Sequence, residues 1–224
     1  MKTKYLFLLL VLLSGISANA QFRKYTFGLR AAPQIYWMKP NTEKYEGNGV
    51  KLGFSWGFVG EYNYTPNYSF STGFNLLFNG GKLKFPATVS SDTGTMARTY
   101  YLKSIEIPLT LKMRTNPIDN IRYYGQIGLG TAFRFDARNS DEFVHGNTTV
   151  TTGKATYSNT SFLRESLIIG LGAEYIMKAG TILSTGVAFN NGFTDMLTGK
   201  NSSNSSVREN ATSSFVELNV AVLF

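Results

Sequence analysis

Few side chains in this sequence have the type and spacing for chemistry, and most of those are charged residues at even intervals within aromatic and aliphatic stretches. The single histidine, His145, stands in a polar segment with Asp141 and Glu142. A lipid-modifying enzyme on a small scaffold would use a histidine beside a serine or carboxylate near a membrane surface. Here the surroundings read as a solvated loop. Cysteine is absent, so disulfides and thiolate metal sites do not arise. One histidine without clustered carboxylates gives no metal site either. Gly125, Gly128 and Gly130 match a glycine-rich nucleotide loop only in number; no helix follows them, so they read as places where backbones pack. No catalytic, cofactor-binding or metal-binding residue is assigned, and no cofactor is expected.

Nine charged residues remain: Arg30, Glu61, Glu106, Lys112, Arg122, Arg134, Arg164, Glu174 and Glu217. Each falls on the polar side of a stretch whose other side is apolar, as alternation with period two requires of a strand. The final segment, 213–224, shows the pattern. Val216, Leu218, Val220, Val222 and Phe224 share one face; Phe215, Glu217, Asn219, Ala221 and Leu223 share the other. A chain ending inside a strand leaves that strand's edge uncovered, and pairing the last strand with the first removes the edge.

Seven more stretches alternate in the same way: 24–32, 51–64, 68–79, 101–114, 121–135, 163–177 and 181–190. Thr65, Pro66 and Asn67 turn the second into the third, a hairpin signal. Pro108, within the fourth, cannot donate to a ladder and predicts an irregularity there. Links after strands two, four and six are short. Those after one, three, five and seven are long and polar, notably 80–98, 137–160 and 191–212. Sequons at Asn147 and Asn159 and the Asn/Ser run at 201–206 read as flexible polar loop. The fold class expected is all-β: a closed eight-stranded antiparallel transmembrane β-barrel with short periplasmic turns, long extracellular loops and both termini periplasmic.

A soluble barrel would alternate identically, so the choice of lipid outside rests on aromatic placement. Tyr25, Tyr62, Tyr64, Tyr68, Tyr123, Tyr175 and Phe224 all fall on the apolar face at strand ends nearest the short turns or termini. Amphipathic rings at one height form the girdle that a membrane interface selects. The nine charged residues then face a lumen that side chains fill. Two structural ionic layers are expected, Glu61 and Glu174 with Lys112 and Arg122, and above them Glu106 and Glu217 with Arg30, Arg134 and Arg164.

Residues 1–20 carry Lys2 and Lys4, an apolar run over 5–13 and the small-residue site Ala18-Asn19-Ala20. That is a signal peptide, too short to span a bilayer, with cleavage before Gln21 and 21–224 as the barrel domain. Its loss lowers the formal charge from +8 to +6. The remaining cations are scattered, which suits an anionic lipid or lipopolysaccharide surface and not nucleic acid.

Ala20-Gln21, Ser104-Ile105-Glu106-Ile107-Pro108-Leu109-Thr110-Leu111-Lys112, Tyr123-Tyr124-Gly125-Gln126-Ile127-Gly128-Leu129-Gly130, the run from Gly170 to Tyr175 and the terminal Phe224 carry a resemblance. The chain resembles the PorT-like outer-membrane β-barrel proteins of Bacteroidetes, small barrels of the porin family. The resemblance implies insertion by the barrel-assembly machinery through the C-terminal strand, and some members serve a protein-secretion apparatus. The function expected is non-enzymatic, either structural in the envelope or presenting loops to an extracellular or secretion-machinery partner. The alternative is a narrow transport barrel for small solutes.

Overall fold

The computed structural model describes residues 23–178, 180–201, 206 and 208–224; the signal peptide expected over 1–20 lies outside them. Eleven strands follow in order: β1 (Tyr25–Pro40), β2 (Glu46–Gly47), β3 (Lys51–Asn63), β4 (Tyr68–Val89), β5 (Asp92–Arg114), β6 (Ile121–His145), β7 (Thr148–Thr151), β8 (Ala155–Thr156), β9 (Leu163–Ile176), β10 (Ile182–Gly192) and β11 (Ala211–Leu223). Eight of them form a ring of antiparallel neighbours, β1-β3-β4-β5-β6-β9-β10-β11, with β11 paired back to β1. The closing ladder runs from Gly28 opposite Leu223 to Pro40 opposite Ala211. Phe27 and Phe224 add a reciprocal pair of backbone hydrogen bonds, 3.1 and 2.7 Å. Both edges are thereby satisfied, as the pattern of the last segment required.

Alternation sorts the side chains. Phe70, Phe74 and Phe78 on β4 and Ile105, Ile107 and Leu109 on β5 point outward and are exposed, and Leu76 points the same way and is half-buried. Ser69, Ser71, Asn75, Ser104, Glu106, Thr110 and Lys112 point inward and are buried. Polar residues are thus inside and apolar ones outside, the inverse of a water-soluble core.

Four strands run further than the sequence suggests. β1 continues eight residues past Ala32, β4 ten past Asn79 and β6 ten past Phe135, while β5 begins nine before Tyr101. The segment 80–98, expected as a loop, is a hairpin closed by Ser90 and Ser91 at φ 50° and 79°. Positive φ at both central residues gives the two-residue turn that suits strand twist, and serine there carries no glycine or asparagine signal. Residues 148–151, expected as flexible loop, form β7 against β6.

In this upper part the polarity of the two faces reverses. Met38, Leu83, Phe85, Met96, Tyr100, Leu102, Ala137 and Phe143 now point inward and join Tyr45, Met196, Leu197 and Ala211 in one apolar cluster. Lys39, Lys82, Lys84 and Arg138 point outward. A charge-free apolar face holds for the strand centres only: Glu165 of β9 lies on it near its upper end, where Thr131 Oγ1 donates to its carboxylate at 2.9 Å.

Pro108 perturbs the ladder without shifting it. β4–β5 pairing lapses opposite Gly73 and Phe74 and resumes in the same register. The register shift lies elsewhere, between Lys103 and Ser104, where β6 carries one extra residue at Phe135. Pro33 interrupts the β1–β11 ladder similarly; lacking an N–H, proline leaves its neighbour's carbonyl unpaired in either place.

These assignments make a folding prediction. Leu109→Arg puts a cation outward at mid-band and should lower stability in lipid vesicles by about 2–4 kcal/mol. Ala97→Arg, outward on the same strand between Lys84 and Glu142, should change it by less than about 0.5 kcal/mol. Denaturant titration of folding into vesicles reads both. Equal losses would mean that the apolar band has no upper boundary between the two positions.

Candidate functional site

The lumen holds two polar lattices. In the lower one Glu174 of β9 has no exposed surface. Its carboxylate accepts from Lys112 Nζ, from Arg114 Nε at 3.0 Å and from Arg122 Nε at 2.5 Å. Glu61 of β3 accepts from Lys112 at 2.8 Å and from Arg114 Nη2. Arg114 also reaches Ser69 Oγ at 2.7 Å and Asn63 Oδ1 at 3.2 Å. The four residues expected here meet, and a fifth, Arg114, bridges both carboxylates. It occupies the inward register two residues after Lys112, so the alternation already carried the signal at the strand's last position. Tyr124 lies beside the lattice, with Lys112 Nζ 4.2 Å from its ring centroid. The ring fits only because Gly172 and Gly186 bear no side chain; a Cβ at either would stand 2.6 or 2.5 Å from the tyrosine oxygen.

The upper lattice has two arms. Arg30 Nη2 donates to Glu217 at 2.6 Å and Gln34 Nε2 to the same carboxylate at 2.8 Å. Tyr36 Oη donates to Gln34 at 2.7 Å, and Asn79 Nδ2 donates to Tyr36 Oη at 2.9 Å. On the other arm Glu106 accepts from Asn190 at 3.0 Å and Asn75 at 3.3 Å. Arg164 lies 3.8 Å from Glu106 and is joined to it through Asn190 Oδ1 at 2.6 Å. Arg134, expected in this layer, is not part of it. Its guanidinium donates to the carbonyls of Thr160 and Ser161, 2.7 and 2.8 Å, and anchors the entry into β9. It stands just before the extra residue of β6, where inward alternation ends. Gln34 and Tyr36 were out of reach of the sequence reading because the first stretch read as alternating ends at Ala32. Between the layers lies a cavity of about 50 Å³.

The seven residues proposed as a girdle are all exposed on the outer face around one end of the ring. Tyr25 and Tyr62 are register partners with ring centroids 5.4 Å apart, and Tyr64 and Tyr68 lie 6.1 Å apart. At the other end of the apolar band is a second group of outward rings that the sequence reading did not single out. Trp37 stacks on Phe189 at 6.0 Å, Phe133 meets Phe162 at 5.8 Å, and Phe54 and Phe78 are register partners.

Above that level, polar contacts clamp the apolar cluster. Tyr45 and Tyr157 both donate to Glu209, at 2.7 and 3.2 Å. Burial first, and Glu209 second, pushes the Tyr157 phenol up to about 12. Arg98 grips Asp141 with two bonds of 2.7 Å, the planar two-point geometry that suits guanidinium and carboxylate. Asp141 is therefore committed to Arg98, and His145 Nδ1 donates to the Thr93 carbonyl at 2.7 Å. Gly125, Gly128 and Gly130 lie inside β6, where a Cβ on Gly130 would stand 2.8 Å from Glu106 and Ser166.

The lower lattice yields a measurable consequence. Glu174→Gln leaves Glu61 as the one carboxylate of the lattice, bonded to Lys112 and Arg114 but not to Arg122, and should cost about 3–5 kcal/mol in unfolding from lipid or detergent. Adding Arg122→Gln should recover part of that loss. A cost below about 1 kcal/mol would show that the lattice does not depend on its charge balance.

Comparison with known proteins agrees with the architecture. Residues 17–198 match the family described as outer membrane protein beta-barrel domain. No curated relative matches the chain. Among solved structures, the outer membrane protein OprG of Pseudomonas aeruginosa is similar with a TM-score of 0.51 and 10% identity, over 89% of this chain and 95% of that one. Neisserial surface protein A gives a TM-score of 0.43 and 16% identity, over 88% and 95%. Ail, the attachment invasion locus protein of Yersinia pestis, gives 0.39 and 11%, over 90% and 100%. The chain belongs to the outer membrane protein beta-barrel domain family and is a protein of the bacterial outer membrane.

Proposed function

We propose that this barrel is a non-conducting, non-enzymatic display scaffold. It holds a rigid β-extension outside the cell, where an extracellular or secretion-machinery protein can engage it, and keeps both termini on the periplasmic side. The observation that carries this reading is the lumen. Two stacked lattices span it, one joining β3, β5, β6 and β9, the other reaching β1, β4, β5, β9, β10 and β11. The 50 Å³ between them has room for ordered waters and not for a solute path. Residues whose charges are this closely paired serve to close an interior, and the bonding of His145 to a backbone carbonyl supports a structural role for it. Outside, the apolar cluster under β4–β5 and β6–β7 gives the extension a core of its own, so it can present a fixed surface.

A second reading, a narrow transport barrel, is favoured by one feature of the wall. At the Pro33 lapse between β1 and β11 a cavity of about 400 Å³ is lined by Ile35, Leu52, Val187 and Leu218 and reaches Gln34 and Glu217. Planar-bilayer recording separates the two. The display scaffold gives no step above the lipid background, and resolved single-channel steps would replace it with transport.

The orientation is tested in intact cells. The sequence has no cysteine, so Ser91→Cys at the hairpin tip should react with a membrane-impermeant maleimide, while Lys178→Cys near the β9–β10 turn reacts only after lysis. The reverse pattern would invert the barrel in the membrane.

A further inference from the structure

On the outer wall, at the upper edge of the apolar band, cations crowd a single pocket. It has a volume of about 290 Å³ and is lined by Lys51, Lys103, Arg138 and Lys154 around Tyr101, with Phe78 of the upper ring group at its foot. Lys51 and Lys154 approach the Tyr101 ring, 3.8 and 4.2 Å from its centroid. The one carboxylate in the lining, Asp136, is shared by Lys103 at 3.2 Å and Arg138 at 3.4 Å. Lys51 has a backbone partner only, the Tyr100 carbonyl at 3.3 Å. Neither Lys51 nor Lys154 has a carboxylate partner among the described residues.

Cations gathered at this density repel one another, and in the pocket lining the fold sets one carboxylate, Asp136, against four of them. The strands bring them together: Tyr101 pairs with Arg138 and Lys103 with Asp136 across β5–β6, and Phe78 pairs with Lys103 across β4–β5. A dianionic group in the pocket would relieve the repulsion through several charge-assisted hydrogen bonds at once. The position selects among anions. Directly below lie Phe78, its partner Phe54 and Ile105, all outward and exposed, so an occupant with an anionic head and apolar tails is matched along its length.

We propose that this pocket binds the phosphate of an outer-leaflet glycolipid, with the acyl chains descending over Phe78 and Ile105. The inference rests on the orientation proposed above, but the binding itself is read in detergent, where orientation plays no part.

The full chain, folded in a zwitterionic detergent, is mixed with phosphorylated lipid A or with the same lipid A stripped of phosphate, and bound lipid is counted by native mass spectrometry. The expected preference for the phosphorylated form is about tenfold or more. Lys51→Gln/Lys154→Gln should abolish it, and Lys154→Gln alone, outside the barrel strands, should reduce it several-fold. Lys39→Gln/Lys200→Gln, which removes two cations elsewhere on the same end, should leave it intact. Heat-modifiable gel mobility confirms that each variant is folded. Equal retention of the two lipids, or an unchanged preference in the pocket variants, overturns the proposal. A preference lost equally in the Lys39/Lys200 variant overturns it in favour of diffuse charge. Displacement of the lipid by inorganic phosphate at low millimolar concentration overturns the lipid assignment in favour of free phosphate. Labelling of Lys178→Cys from outside would refute the orientation while leaving the binding result standing.

Discussion

A carboxylate with no exposed surface, Glu174, is bonded by three cations from two neighbouring strands, and Glu61 shares two of them. Removing such groups from water costs several kcal/mol each, and only close pairing with filled hydrogen-bond positions offsets it. That condition limits the whole barrel. Lys112 and Arg114 of β5 must lie across the lumen from β9 and β3 at bonding distance, which is possible only in a ring of about eight strands. A wider ring would part the charges, and water would have to replace each partner. The narrowness of the lumen and the charge content of the interior are two consequences of the same closure.

Outside the ring a different rule applies. Where lipid surrounds the barrel, outward positions are apolar, and the inward ones can be polar because they satisfy one another. Where water surrounds it, outward positions carry Lys39, Lys82, Lys84 and Arg138, and the inward ones pack as Met38, Leu83, Phe85, Tyr100 and Leu102. Each buried side chain of that kind contributes about 1.5–3 kcal/mol, so the extension has a driving force of its own above the membrane. The rings of Trp37, Phe54, Phe78 and Phe189 mark the level of the exchange, and the basic pocket lies immediately over it.

The ring of eight strands, their order and the inward set of charges were legible because lipid and lumen impose one sustained two-residue period. Eight of the nine charged residues proposed for the lumen lattices lie in them. The extension was not legible, for the same physical reason. On β4 the apolar residues other than Leu77 are at even positions up to Phe78 and at odd positions from Leu83, so the period persists while its polarity swaps, and the alternation is lost to view near Gly80 and Gly81. Gln34 and Tyr36 lie beyond the first stretch read as alternating, which ends at Ala32, although inside the ring a proline costs one ladder bond and no more. The pocket was hidden differently: Lys51, Lys103, Arg138 and Lys154 belong to four separate stretches of sequence, and only the pairing of β4, β5 and β6 makes them neighbours.

The extra residue of β6 explains how one strand serves both regimes. Up to Ala132 and Arg134 the even residues of β6 face inward; beyond Phe135 the odd ones do, with Ala137 and Phe143 buried in the upper cluster. A one-residue slip exchanges the faces of everything that follows. Without it, Arg138 would point into the apolar cluster and Phe143 into water. The bulge also sets Asp136 opposite Lys103, which places the one carboxylate of the basic pocket where it can hold two cations in position without neutralising the other two. On β6 the change of face and the placing of Asp136 in the basic pocket are thus set by the same local irregularity.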